Sequence, residues 1–286
     1  MNVDERRALA EAARTELVDR LDALLGERLR LTERRPRDGA GWVDVGAHDL
    51  AATCPARWSV PFDDFVPTAA TVAGAVGRLA LRDRLPGEPA GASVDRVLSS
   101  LEDADRDAAW FADWYGSEID RSGQAAVRAA ATTWTIGALA AVGGRDLAWA
   151  TRRQAFDVPG RTIRLRANWD AGDRAARPDV LVVMSGRAPS DPVLGLVAGF
   201  NGLVDGMHRR QVPDRVRVGS ASTASTTAFP VTAPLLSGAV DRVVELVAWR
   251  LDPDAAPVVP GRGCPDCHLL ESCEEGLAAV AAPSIR

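Results

Sequence analysis

Three cysteines lie close together near the end of the chain, in the segment GCPDCHLLESC at residues 263–273. Cys264, Cys267 and Cys273 form a C-x2-C-x5-C pattern, and the fourth cysteine, Cys54, stands far upstream. A C-x2-C turn brings two thiolates to one metal or one cluster edge, and a third sulfur a few residues later can reach the same site. The fourth ligand must come from Cys54 or from a histidine.

Two kinds of metal centre are compatible with this pattern. A four-cysteine iron–sulfur cluster is favoured, because four-cysteine zinc sites more often pair two short-spaced knuckles than a lone cysteine with a triplet. Zinc remains the alternative, since His268 beside Cys267 could complete a site of three cysteines and one histidine. Unligated thiols are the third possibility. A secreted disulfide framework does not fit four cysteines distributed in this way.

The composition restricts the chemistry further. The chain has 286 residues, 47% of them hydrophobic, and its 34 Lys+Arg residues are all arginine. A mechanism that needs a lysine ammonium or a lysine Schiff base is therefore excluded. Residues near the N-terminus are charged from the fourth onward, and no long uncharged apolar run is present, so we expect a cytoplasmic protein without a membrane span.

Helical spacing of apolar residues identifies the elements at both ends of the chain. Residues 4–31 place leucines and alanines at helical spacing with charges between them, which predicts a long amphipathic helix. The region 68–144 is alanine-rich and helical, and we interpret Trp110, Trp114, Tyr115 and Trp134 in it as packing residues. Helices are also predicted at 191–210 and 233–251, and a short strand followed by a helical stretch with Cys54 at 41–60.

The middle of the chain reads as a sheet. Residues 146–158, 161–172 and 179–186 alternate apolar and polar residues or form buried β-branched runs, with turns between them, so we predict a three-stranded meander. A further strand is predicted at 214–224. Helices around a central mixed sheet correspond to the α/β (α+β) class.

The cysteine pattern resembles a known family. CPARW at Cys54 and CPDCHLLESC at Cys264 look like the split iron–sulfur signature of RecB-type nucleases in the PD-(D/E)xK superfamily, which includes CRISPR-adaptation exonucleases and AddB-type helicase-nucleases. The resemblance covers about residues 49–276 and is specific only in the cysteine spacing. It implies a restriction-endonuclease-like sheet and a [4Fe-4S] cluster on Cys54, Cys264, Cys267 and Cys273 that joins the two ends of the domain.

The resemblance also implies a magnesium site, which the sequence largely lacks. Asp170 stands where the family has its first acid, but the acid-x-Lys triplet falls on Val182, Val183 and Met184. Gln154 stands near the place of the upstream Glu, and the helix after Gly77 carries no histidine. His48 and His208 are interpreted as surface or helix-end residues. Asp170 is thus a vestigial ligand or a turn residue, and bound magnesium is not expected.

Arginines are concentrated in the middle of an otherwise acidic chain. The net charge is -5, yet residues 145–217 hold thirteen Arg against eight Asp and no Glu. A local basic face could bind DNA phosphates, and a solvated arginine-rich sheet would give the same count. The candidates for DNA binding are Arg152, Arg153, Arg164, Arg166, Arg209 and Arg210.

Together these features predict an N-terminal helix and loop at residues 1–40 and a nuclease-fold domain at 41–286. The expected function is that of a catalytically inactive RecB-like protein, which binds DNA or acts as a scaffold in an assembly that processes DNA. One alternative is an active magnesium nuclease with a displaced site using Asp170, Asp173 or Asp179. Another is a partner-binding subunit without DNA contact, which docks through the N-terminal helix and the helix at 233–251.

Overall fold

Helices surround one mixed sheet, which is the α/β class predicted from the sequence. The computed structural model describes residues 1–30, 42–50, 54–60, 67–101, 111–143, 147–173, 179–184, 191–261 and 264–282. The α-helices are α1 Val3–Leu25, α2 Ala47–Leu50, α3 Pro55–Ser59, α4 Ala69–Arg82, α5 Ala90–Ser99, α6 Arg121–Val142, α7 Asp191–Arg209, α8 Ala233–Leu251 and α9 Glu274–Ala281. The strands are β1 Val43–Gly46, β2 Leu147–Asp157, β3 Ile163–Asp173, β4 Asp179–Met184, β5 Arg215–Ser220 and β6 Ser225–Pro230.

The long strand β3 organises the sheet. It pairs antiparallel with β2 along one edge, from Asp157 opposite Arg164 to Leu147 opposite Asp173, with a shift of register between Trp149 and Arg152. Along its other edge, the first part pairs parallel with β1 and the last part pairs antiparallel with β4. Beyond β4, strand β5 is parallel and β6 antiparallel to β5. The predicted meander is confirmed as β2, β3 and β4.

One face of the sheet is covered by α1, α7 and α8. Leu17 and Leu21 of α1 are buried in a single core with Ile163 and Leu165 of β3 and with Phe200 of α7. This burial follows from the apolar stripe that predicts α1. The N-terminal helix is therefore packed into the same core as the sheet.

Helix α1 is shorter than predicted from the sequence. An Asn2 capping box fixes its start, and it ends at Gly26, whose φ of 50° lies in the left-handed region. Glycine adopts this conformation at little cost, whereas the predicted helix continued to residue 31. The buried Arg161 holds the end of α1 against the sheet by donating to the carbonyl oxygens of Gly26 and Arg28 at 2.7 and 2.8 Å.

The opposite face of the sheet is covered in part by α4 and α6, and α5 packs against these two helices. Trp134 of α6 packs with Leu181 and Val183 of β4, as predicted for a packing residue. Two glycines make the close helix contacts possible: a Cβ on Gly137 would lie 1.8 Å from the Ala221 carbonyl oxygen, and one on Gly77 would lie 2.3 Å from Trp134. Helix α6 is also long and apolar enough to cross a membrane, a test that the core helix of a soluble protein also passes.

Several sequence predictions differ from the structure in detail. The helical region at 68–144 contains α4, α5 and α6 together with a π-helical turn at Trp114–Glu118, and Trp110 lies outside the described residues. Trp114 and Tyr115 are partly buried packing residues, as predicted. The strand predicted at 214–224 ends at Ser220, and β6 was missed because its Ser- and Thr-rich sequence lacks apolar alternation.

Candidate functional site

Cys54 lies beside the chain that leads to the other three cysteines. It immediately precedes α3, and its Sγ accepts the Val259 backbone N–H at 3.5 Å. The Ala56 N–H of α3 donates to the Pro257 carbonyl oxygen at 3.3 Å. The segment after α8 therefore returns to the helix that follows Cys54, although more than 200 residues separate the two in sequence.

The three C-terminal cysteines occupy a compact turn. Cys264 begins a 3-10 turn at Cys264–Asp266, and the Cys267 N–H donates to the Cys264 carbonyl oxygen at 3.0 Å. A second 3-10 turn, Leu270–Ser272, leads to Cys273, which is the N-cap of α9. The described structure therefore places these cysteines on successive turns of one short segment.

Backbone N–H groups point at the cysteine sulfurs. Gly261 donates to Cys264 Sγ and Gly276 donates to Cys273 Sγ, each at 3.2 Å. A Cβ on Gly276 would lie 3.1 Å from Cys273 Sγ, so glycine permits this close approach. With the bond from Val259 to Cys54, three sulfurs accept backbone N–H bonds, which stabilise a thiolate and tune an iron–sulfur cluster.

The sulfurs do not form a closed coordination sphere. All four cysteines are free thiols. Among the described residues, no three His, Cys, Asp or Glu side chains are grouped closely enough to hold a metal ion. The sulfur ligands and their N–H donors fit an iron–sulfur cluster chemically, and the cluster itself stays a prediction.

His268 connects the C-terminal cysteine turn with α3. His268 is exposed, but partial desolvation and the neighbouring Arg57 lower its pKa, against the opposing effect of a hydrogen bond with the backbone of Val60. A neutral imidazole is the form that binds metals, so the balance of these effects is compatible with the zinc alternative.

Asp170, the predicted first acid, is buried against an arginine. Its side chain is 3% exposed, and its Oδ1 accepts from Arg78 Nε at 2.8 Å. Its Oδ2 accepts the Val183 backbone N–H at 2.7 Å. Asp170 is thus a fully used structural carboxylate, and its cationic partner comes from α4.

The residues at the position of the acid-x-Lys triplet are also packed in apolar surroundings in the structure. Val182 packs in the core beneath α7, and Val183 packs with Trp134 beneath α6. No described carboxylate of β4 joins Asp170. Asp173 and Asp179, named for a displaced site, lie at the ends of β3 and β4, and their side chains are outside the described residues.

Arg78 is the residue that sequence reasoning missed. The helix after Gly77 was searched for a histidine, and the arginine in it was given no role. A usable signal was present, because Gly74, Gly77 and Leu81 form the buried stripe of α4, and Arg78 lies at helical spacing from Gly74 and Leu81. An arginine bordering such a stripe needs an internal partner.

Among the candidate DNA-binding arginines whose side chains are described, Arg164 and Arg166 lie on the sheet, and Arg209 and Arg210 lie at the end of α7. Arg164 and Arg166 alternate with the buried Ile163 and Leu165, so they face away from α7. Arg164 Nε bonds Asp157 at 2.6 Å, which raises the pKa of Arg164, and its guanidinium lies over the Trp42 ring at 4.7 Å.

The remaining candidates are placed differently. Arg166 pairs with Asp44 at 2.9 Å. Arg152 and Arg153 are in β2, where their side chains are outside the described residues. Arg209 and Arg210 are exposed at the end of α7, on the other side of the sheet. The structure therefore brings Arg164 and Arg166 together and does not bring Arg209 and Arg210 to them.

A buried polar pair lies between α7 and β2. Gln154, found near the place of the family's upstream Glu, donates to Asp205 Oδ1 at 2.9 Å, and Arg209 Nε lies 2.9 Å from the same oxygen. Burial raises the pKa of Asp205, against the opposing effects of Arg209 and Gln154. His208 is exposed at the end of α7, as predicted, and the side chain of His48 is outside the described residues.

The two helices proposed as docking faces contact each other. Arg20 of α1 pairs with Asp241 of α8, and Ser237 Oγ donates to Glu16 Oε1 at 2.8 Å. Their apolar stripes meet in the core beneath the sheet. A partner that uses these helices would therefore contact their polar sides.

A scan against protein-family models finds no match, and a search of curated proteins finds none.

Proposed function

We propose that this chain is a catalytically inactive nuclease-fold protein of RecB-like type, which carries a [4Fe-4S] cluster and binds DNA or a DNA-processing assembly. The observation that carries the proposal is the environment of Asp170. Its carboxylate faces the Arg78 guanidinium, and the position expected for a second acid is occupied by Val182. A hydrolytic magnesium site needs further carboxylate or carbonyl ligands and bound waters.

The order of elements supports the restriction-endonuclease-like part of the proposal. Helix α6 precedes the meander of β2, β3 and β4, and α7 then leads to β5, which is parallel to β4. The resemblance is specific in its cysteine spacing, and between the cysteines it is matched only by the order of elements. The proposal is therefore that the nuclease-like sheet is retained while the catalytic residues expected on β3 and β4 are lost.

The cysteine end supports the cluster. Cys54, Cys264, Cys267 and Cys273 would hold it, and the N–H donors of Val259, Gly261 and Gly276 suit thiolate ligands. A bound cluster would supply covalent links between distant segments, which restrict the unfolded chain and so stabilise the fold. Zinc is the alternative metal.

The basic middle of the chain supports a nucleic-acid role. Arg164 and Arg166 share one sheet face, where Trp42 offers an aromatic surface beside Arg164. Both arginines are bound to carboxylates, Asp157 and Asp44, so a phosphate has to compete with these acids. We therefore expect moderate, salt-dependent and sequence-tolerant binding.

Metal analysis of anaerobically purified protein tests the cluster. We expect about four irons and matching acid-labile sulfide per chain, and the Cys54→Ser variant should lose iron and melt at a lower temperature. Zinc without sulfide, or unchanged iron and melting temperature in Cys54→Ser, would contradict the cluster.

Cleavage and binding assays test the remaining parts. With Mg²⁺ or Mn²⁺ the wild type should leave plasmid and single-stranded DNA intact, and cleavage lost in Asp170→Ala would reveal an active nuclease instead. Arg164→Ala/Arg166→Ala should weaken oligonucleotide binding and lower its salt dependence. The control Arg7→Ala/Arg14→Ala removes one exposed and one partly exposed arginine of α1, each paired with a carboxylate, and should leave both quantities unchanged.

A further inference from the structure

The oxygens around Arg78 form a small cation site inside the protein. Arg78 Nε donates to Asp170 Oδ1 at 2.8 Å, and Nη2 donates to the Val183 carbonyl oxygen at 2.7 Å. Nη1 lies 3.4 Å from the Gly74 carbonyl oxygen. The oxygens come from β3, β4 and α4, so the guanidinium joins two strands to the helix that covers them.

Burial makes a cation necessary at this position. The Asp170 side chain is 3% exposed, and its second oxygen is already used by the Val183 N–H. An ionised carboxylate with so little water is costly unless a positive charge and hydrogen-bond donors compensate it. Arg78, whose side chain is 26% exposed, provides both from within the chain.

The shape of the site suits a planar cation. The Trp134 ring lies against the guanidinium, with Arg78 Cζ 5.0 Å from the ring centroid. Gly77 allows this approach, since a Cβ there would lie 2.3 Å from the Trp134 ring. A guanidinium can stack on a ring face while its N–H groups reach separate oxygens in its own plane. A divalent metal ion would find a single carboxylate and neutral carbonyls, a weak ligand set.

We propose that this is a guanidinium site, occupied by Arg78 of the chain itself, and that it takes guanidinium cations in preference to divalent metal ions. Arg78 thereby supplies the positive charge and the N–H donors opposite the Asp170 carboxylate, and it fills the space between α4, β3 and β4 without an external ion. The inference rests on the same Asp170 environment as the proposed function, but it is independent of DNA binding and of the cluster.

Chemical rescue tests the site. Arg78→Ala removes the cation and leaves the oxygens and the Trp134 face in place. We expect a lower melting temperature than in the wild type, and a partial return when guanidinium chloride is added at a low, non-denaturing concentration. Sodium chloride at equal ionic strength should not restore the melting temperature, and MnCl2 should restore less of it or none.

Two further variants control the experiment. Arg78→Ala/Asp170→Asn lacks the carboxylate and should show no return with guanidinium. Arg78→Gln keeps amide donors and helix propensity, so it provides a folded variant for the same titrations if the alanine variant does not fold. Absence of a guanidinium-specific return in both single variants would overturn the proposal, as would a return with Mn²⁺ equal to or larger than that with guanidinium.

The result is separable from the test of the proposed function. Iron content and DNA cleavage are measured on the wild type, whereas rescue is measured on the Arg78 variants. Guanidinium rescue in a protein that cleaves DNA would leave the guanidinium site standing and reject catalytic inactivity. A wild type that does not cleave DNA, together with Arg78 variants that guanidinium does not rescue, would support catalytic inactivity and reject the guanidinium site.

Discussion

Replacing Asp170 with Asn should show how much the buried ion pair stabilises the fold. The substitution preserves the size of the side chain and one acceptor oxygen but removes the charge opposite Arg78. Two donors, Arg78 Nε and the Val183 N–H, currently use the two carboxylate oxygens at 2.8 and 2.7 Å. One of them would face the amide NH2 group of Asn, because that group cannot accept a hydrogen bond.

The size of the effect follows from the burial of the pair. Removing one partner of a fully buried ion pair costs about 3–5 kcal/mol, because the remaining charge is left without compensation. Arg78 retains 26% exposure, so water partly solvates the orphaned guanidinium. We therefore expect the free energy of unfolding to fall by about 2–3 kcal/mol in Asp170→Asn.

Asp95→Asn is the matched control. Asp95 receives hydrogen bonds from both Nε and Nη2 of Arg128, so its carboxylate, like that of Asp170, accepts two N–H bonds, one of them from an arginine Nε. These side chains are about half exposed, at 46% and 53%, and the change should cost at most about 1 kcal/mol.

Urea unfolding followed by tryptophan fluorescence and far-UV circular dichroism measures both variants. Equal slopes against urea would show that the compared states have not changed in compactness. A loss in Asp170→Asn no larger than in Asp95→Asn would refute the reasoning. It would mean that the Arg78–Asp170 pair behaves as a solvated surface pair.

Two other predictions concern the sheet and its helices. Gly137→Ala should lower the free energy of unfolding by about 3 kcal/mol, because the new Cβ would lie 1.8 Å from the Ala221 carbonyl oxygen. Gly238→Ala, where nothing lies within 4 Å, should raise it by about 0.5–1 kcal/mol; equal effects in the two variants would contradict the close contact. Burial raises the pKa of Asp205, so the folded state binds the carboxyl proton more tightly than the unfolded chain does. The free energy of unfolding therefore falls as the pH rises from the ordinary pKa of aspartate through the raised pKa of Asp205. Asp205→Asn removes this pH dependence, so the free energy of unfolding of the variant relative to the wild type should increase across that pH range. Urea unfolding at several pH values measures it, and a difference between the two proteins that does not change with pH would argue against the raised pKa.

Local sequence patterns were sufficient for most elements. The period of apolar residues predicted α1, α7 and α8, and alternation predicted the meander of β2, β3 and β4, because both signals depend only on near neighbours in the chain. The boundary of α1 was misjudged because the pattern continued beyond the glycine that ends the helix. Strand β6 was missed because its side chains are mostly exposed and its pairing with β5 is set by the backbone.

Part of the candidate site could also be predicted from local sequence, and part could not. Spacing identified the cysteine turn and the lone Cys54, and composition alone excluded lysine chemistry. Sequence could also place Asp170 at the end of a predicted strand, with apolar residues at the position of the acid-x-Lys triplet. It could not show that Arg78 supplies the opposing charge, since the two residues are 92 positions apart.

Only the tertiary structure decided which charged groups meet. The register of β3 against β2 and the position of α7 bring Gln154 to Asp205, and they separate Arg164 and Arg166 from Arg209 and Arg210 by the thickness of the sheet. The contact of α4 with the sheet selects Arg78 as the partner of Asp170. A side chain's period along one element is a local property, whereas its partner depends on how separate elements cross, and that arrangement is fixed by packing of the whole core.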